Sequence, residues 1–361
     1  MPKAITRRDV RRGARAAVRV VMPPVIALGL GVAGGDVLGP TRPVPAEAAA
    51  ATVGGWLADP LAPPDPRTAT PAQVAGFFAR TRPAAAAALT RRYPEIVGRL
   101  DGAPVALRYA ANRLRDPRAA GRQILDFDDR GDGRIVEVLG DLNTAARVVL
   151  LVPGVDDTVA DFVTGHGGVL RRAPSWQARQ LSEQIREIAP AAHVAVIAWL
   201  GYDPPEGVRL AAIREDRAAA GAVALNRFLD GLAVGHPDRS FVVIGHSYGS
   251  TVAGLAAPRM TRQVTDIVAI GSPGMAVNSR SALHTTARVW AGSAPDDWTR
   301  RIPGVRLLGI GHGRLPTDPR FGALPLPSGD VEGHDGYFVP GTSALRAMAL
   351  IALTSARPTS P

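Results

Sequence analysis

Cysteine is absent from the 361 residues. That excludes a cysteine nucleophile, a thiolate metal site and a disulfide framework. Export stays open, because a chain of this length buries enough surface to be stable without crosslinks. Aromatic residues are scarce, at 5%, and much of the 46% apolar content is alanine. The core therefore draws on fewer large side chains than that fraction suggests. Lysine occurs once, at Lys3, so the net charge of +10 is carried by arginine. Eight basic and three acidic residues lie before residue 51, which places half of the excess charge there. The remainder is spread without a long basic stripe or an aromatic-interleaved motif, and no nucleic-acid partner is expected.

Several motifs are also missing. There is no H-E-x-x-H pair for zinc, and DDRGDG (128–133) lacks the spaced ligands and terminal glutamate of an EF-hand. The glycines of GLGVAGG (29–35) follow no strand, so they do not form a dinucleotide fingerprint. Neither a metal nor a cofactor is expected.

What is present begins with an export-like order. The basic stretch TRRDVRRGARAAVR precedes an apolar run from Val20 to Gly35, then AEAAAA with a cleavage position after Ala48. Arg7–Arg8 followed by Asp-Val is a poor match to a twin-arginine signal, and Pro23–Pro24 weaken a spanning helix. Residues 1–50 are therefore predicted to be a signal peptide or membrane-targeting segment. The expected location is secreted or cell envelope, with a retained anchor or a cytoplasmic tail as alternatives. Residues 51–120 read as an N-terminal helical extension or cap, and 121–361 as a catalytic domain.

In that last stretch short apolar strands alternate with helical patterns. Strands are predicted at 123–127, 134–139, 147–152, 193–200, 241–244, 266–270 and 288–291, with helices at 175–188, 216–232 and 343–353. This predicts a mostly parallel α/β sheet with helices on both faces.

The sharpest motif is Gly245-His246-Ser247-Tyr248-Gly249, a G-x-S-x-G between the strand FVVI and a small-residue helix. At such a turn the glycines relieve crowding while the serine is held exposed as a nucleophile. Serine needs a base. Of seven histidines, His334 in VEGHDGYF follows the last strand, where a loop returns over Ser247. His246 is expected to support or pack, His193 to serve structure, and His166, His236, His284 and His312 to face solvent. The acid should come between nucleophile and base. RVWAGSAPDDW offers Asp297, which is favoured, and Asp296 as the alternative. The oxyanion donors are expected to be the Tyr248 amide and the Val155 amide, with Asp156 second. Trp199 and Tyr202 are weak candidates for a substrate pocket lip, with packing at the sheet edge equally favoured.

The segments RLDGAPVALRYAANR, LVPGVDDT, AWLGYDPP, VVIGHSYGSTVAG, VAIGSPG, VWAGSAPDDW and GHDGYF together resemble an actinobacterial α/β-hydrolase family long called a domain of unknown function, DUF1023. The resemblance covers residues 95–340. It implies an α/β-hydrolase fold with Ser247 as nucleophile, Asp297 as acid and His334 as base. The expected activity is that of a serine hydrolase, an esterase or lipase acting on a small-molecule or lipid ester, with cell-envelope association. A peptidase or amidase, and a noncatalytic cell-envelope binding protein on a hydrolase scaffold, are the alternatives.

Overall fold

The computed structural model describes residues 46–116, 119–207, 214–306 and 310–354. The expected export signal, up to residue 45, lies outside them. Among the described residues no helix is long and apolar enough to cross a membrane.

Five helices come first: α1 (Ala46–Leu57), α2 (Pro71–Arg80), α3 (Pro83–Arg92), α4 (Pro94–Val97) and α5 (Val105–Arg115). Proline opens three of them, where its missing N–H costs nothing. Thr70 caps α2 in a reciprocal capping box with Gln73. The α1 helix runs through the candidate cleavage position after Ala48. Trp56, Val74, Phe78, Leu89, Val97 and Leu100 give this extension a small core of its own. It is joined to the sheet by buried polar groups of α5. Arg108 Nε donates to the Leu125 carbonyl at 3.0 Å, and Asn112 Nδ2 to the Ile124 carbonyl at 3.1 Å.

Eight strands form one sheet: β1 (Gln123–Asp128), β2 (Arg134–Leu139), β3 (Arg147–Val152), β4 (Val194–Leu200), β5 (Ser240–His246), β6 (Val264–Ile270), β7 (Arg288–Gly292) and β8 (Leu324–Pro325). Their spatial order is β1-β2-β4-β3-β5-β6-β7-β8. The β1–β2 and β2–β4 pairs are antiparallel, and every other pair is parallel. The connecting helices are α6 (Pro174–Ile188), α7 (Asp216–Ala233), α8 (Tyr248–Ala256) and the closing α9 (Ser343–Thr354).

Alternation along the strands explains the two covered faces. Val148, Leu150 and Val152 of β3 point to one core, with Leu225 and Phe228 of α7 and Val252 of α8. Val149 and Leu151 point to the other, with Leu181 and Ile185 of α6 and Leu345 and Met348 of α9. Burying each such side chain contributes about 1.5–3 kcal/mol. Strands without a polar face are thus what this architecture requires.

The topology also positions a site. From β3 the chain goes to β4 on one side and then returns to β5 on the other. The loops leaving the C-terminal ends of β3 and β5 therefore diverge, opening the crevice where open α/β sheets bind ligands. The Pro153–Asp157 loop follows β3, and Ser247 follows β5.

Candidate active site

At the end of β5 the chain reverses into α8 through Ser247, whose φ of 52° and ψ of −128° are strained for a residue with a side chain. The two glycines that flank the turn have no room for a side chain. A Cβ on Gly245 would lie 2.5 Å from the Ser250 Cα, and one on Gly249 would lie 2.1 Å from the Val152 carbonyl oxygen. The turn is anchored at both ends. Ser247 N–H donates to the Ile270 carbonyl of β6 at 3.0 Å, and the Ser247 carbonyl accepts the Ser250 hydroxyl at 2.6 Å. Among the described residues the Ser247 hydroxyl itself has no hydrogen-bond partner. It is left available for chemistry.

His334 and Asp297 meet. The imidazole Nδ1 lies 3.0 Å from both carboxylate oxygens, so Nδ1 carries a proton and donates it to the carboxylate. Asp297 is buried, and desolvation alone would raise its pKa. The hydrogen bonds from His334, Tyr337 and Thr299 overcome that and hold it well below the usual carboxylate range. The Tyr337 hydroxyl donates at 2.5 Å, and Thr299 donates its amide at 2.9 Å and its hydroxyl at 2.7 Å. Asp296 is exposed and does another job: its carboxylate accepts the Gly333 amide at 2.8 Å. The Gly271 backbone, just past β6, closes against the pair. A Cβ there would lie 2.9 Å from the Asp297 carboxylate and 3.1 Å from the His334 ring.

The β3 loop lies against Ser247. A Cβ on Gly154 would come within 2.8 Å of the Ser247 Cβ and 3.2 Å of its Oγ. Tyr248 opens α8, so its amide has no partner in that helix. Among the described residues neither the Tyr248 nor the Val155 amide is engaged. The Asp156 amide is engaged, donating to the Pro205 carbonyl at 3.1 Å, so of the two amides expected from this loop only that of Val155 is unengaged. The Asp156 carboxylate is turned to the Gly207 amide. Burial, with Asp161 and Asp156 nearby, pushes the Asp157 carboxyl well above the carboxylate range, against one hydrogen bond from the Gly154 amide.

Trp199 and Tyr202 are both buried in the core, at 1% and 3% exposure. Their rings stack at 6.0 Å. The Tyr202 hydroxyl donates to the Pro153 carbonyl at 2.7 Å, so it braces the β3 loop from behind. His312 is corrected: expected at the surface, it is 5% exposed and packs edge-on to Tyr248 at 5.6 Å. His166, His193, His236 and His284 are exposed. Two groups at the site were not anticipated. Trp298, half exposed, sets its ring 5.0 Å from that of His334. Tyr337 also reaches the site, and its position three residues after the histidine is the signal that would have found it.

Tyr337 supports a first prediction. Burial, and then its bond to Asp297, push its pKa up, so it remains a donor. Tyr337→Phe removes that bond and leaves the Ala294 amide, which donates to the hydroxyl at 2.9 Å, without an acceptor. Turnover is expected to fall about tenfold and stability by about 1–3 kcal/mol, read from kcat and a urea midpoint.

A family model described as alpha/beta hydrolase matches residues 128–307, a stretch that includes Ser247 and Asp297 and ends before His334. An uncharacterized protein of Mycobacterium tuberculosis, Rv0963c, is 33% identical over 231 residues, covering 61% of this chain and 79% of its own length. The chain belongs to the alpha/beta-hydrolase family. Membership is consistent with hydrolytic enzyme activity. No match to DUF1023 was found for this alpha/beta hydrolase. A second M. tuberculosis protein, the uncharacterized Rv2079, is 31% identical over 250 residues, 62% of this chain and 37% of its own length. Among solved structures, the esterase PE8 is similar at 14% identity and a TM-score of 0.38, covering 61% of this chain and 97% of that one. A dienelactone hydrolase from Anabaena variabilis is similar at 20% identity and a TM-score of 0.36, covering 62% and 90%. Likeness at that level says nothing of substrate.

Proposed function

We propose that this alpha/beta hydrolase is a serine esterase, cleaving a small-molecule or lipid carboxylic ester through a covalent acyl-enzyme. The observation that carries the reading is the strained Ser247 turn at the β3/β5 crevice, with the Asp297–His334 pair in the loops beside it. In this reading Ser247 Oγ attacks the ester carbonyl carbon while His334 Nε2 takes the hydroxyl proton. The Tyr248 and Val155 amides bind the oxyanion. His334 returns the proton to the departing alkoxide as the carbon–oxygen bond breaks, which releases the alcohol and leaves an acyl-Ser247 ester. Water then gives a proton to His334 and attacks that ester; the acid leaves and the serine hydroxyl is restored. Asp297 keeps the proton on Nδ1 and stabilises the imidazolium throughout. The narrower DUF1023-type assignment belongs to the same proposal, supported by LVPGVDDT, GHSYGS and GSAPDDW.

The test is hydrolysis of p-nitrophenyl esters of increasing chain length beside a panel of peptides. Ester turnover with little peptide cleavage supports the proposal. Faster peptide cleavage would make it a peptidase. Equal ester binding by wild type and Ser247→Ala, without turnover by either, would make it a binding protein.

A further inference from the structure

Gly333, His334 and Asp335 are consecutive, and each is held from a different element. Asp296, after β7, takes the Gly333 amide. Arg172, in the turn before α6, donates Nε–H to the Asp335 carboxylate at 2.7 Å. Between them, Nε2 of His246 lies 2.9 Å from the His334 carbonyl oxygen. A carbonyl only accepts, so His246 carries its proton on Nε2 and donates it.

The two outer clamps come from loops. The middle one does not: His246 is the last residue of β5 and the one immediately before Ser247. Its bond therefore ties the strand that carries the hydroxyl directly to the backbone of the residue that carries the base. Catalytic geometry is sensitive at the scale of a single ångström, and the late loop is otherwise irregular and built from distant sequence. We infer that His246 is a positioning residue, whose Nε2–H holds the His334 backbone at a fixed place relative to Ser247. The inference rests on the serine-hydrolase reading and adds a role within it.

The surroundings suit a neutral donor. The His246 ring lies 4.8 Å from that of His334 and 5.8 Å from that of Tyr337, and the Asp335 and Asp297 carboxylates are the acidic groups that act on it. Burial, and next the proximity of the His334 ring, lower the His246 pKa to about 4. Two imidazoles this close do not readily share positive charge. With His246 neutral, the proton taken from Ser247 rests on His334 alone.

The test compares the full-length protein with His246→Gln and His246→Phe. Glutamine keeps an N–H near the Nε2 position, whereas phenylalanine keeps a ring and removes the donor. The measurement is the rate of modification by a fluorophosphonate over a range of probe concentrations, with a melting curve for each variant. The phenylalanine variant is expected to lose at least about tenfold in the limiting inactivation rate with little change in apparent probe affinity, while glutamine stays within about fivefold of wild type. Phenylalanine reacting as fast as wild type, or glutamine as slowly as phenylalanine, overturns the inference. If phenylalanine does not fold, glutamine decides alone: retained rate supports the role, and a loss beyond tenfold overturns it. A wild-type protein inert to the probe is a different failure, which removes the hydrolase reading itself.

Discussion

Ser247→Ala is expected to lower ester turnover by at least about three orders of magnitude while leaving the fold intact. The first half follows from chemistry: no hydroxyl, no acyl-enzyme, and only the oxyanion donors and substrate positioning remain. The second half follows from what Ser247 does in the folded chain. Its hydroxyl makes no hydrogen bond among the described residues, and its structural bonds are made by its own amide and carbonyl. Alanine keeps both, and it occupies the same backbone conformation with the same Cβ. Stability should therefore stay within about 0.5 kcal/mol of wild type in a urea titration. A large loss of stability would show that Ser247 is held for structure.

Asp297→Asn should cost about three to four orders of magnitude in kcat, and Asp296→Asn less than about fivefold. Asp297 accepts from four directions: His334, the Tyr337 hydroxyl, and the Thr299 amide and hydroxyl. An asparagine there presents an NH2 group to donors. The least disruptive response is for His334 to give up its Nδ1 proton and accept, which moves the ring proton to Nε2, the atom that the proposed mechanism needs as a base. A protonated Nε2 cannot take the hydroxyl proton. Asp296 uses one oxygen to accept the Gly333 amide, and asparagine keeps that oxygen. Kinetics of the two variants side by side check the assignment. Equal losses would contradict it.

Much of this site was legible because its chemistry is written in contiguous segments. The apolar strands and small-residue turns placed β3 to β7 within a residue or two of where they lie, and the expected pairing of Asp297 with His334 is present. Adjacency in sequence could not separate Asp296 from Asp297. The structure separates them by direction: one side chain enters a buried pocket of donors while its neighbour faces water. What stayed illegible depends on contacts across the chain. Arg172 and Asp335 are 163 residues apart and His246 and His334 are 88 apart. No local pattern announces either bond. His312 lies in a loop, where exposure to solvent is the ordinary expectation, yet it is buried edge-on against Tyr248. Trp199, within β4, and Tyr202, just past its end, both belong to the core. β8 is only two residues long and includes a proline, too short for alternation to reveal it.

One proposition underlies the rest: a hydroxyl on a strained turn, activated by a late-loop imidazole, is the group that becomes acylated. The direct measurement is to treat the full-length protein with a fluorophosphonate and find the modified residue by peptide mass spectrometry. The adduct is expected on Ser247 and should vanish in His334→Ala under the same conditions. An adduct on any other serine, or none at all on the folded protein, would contradict it.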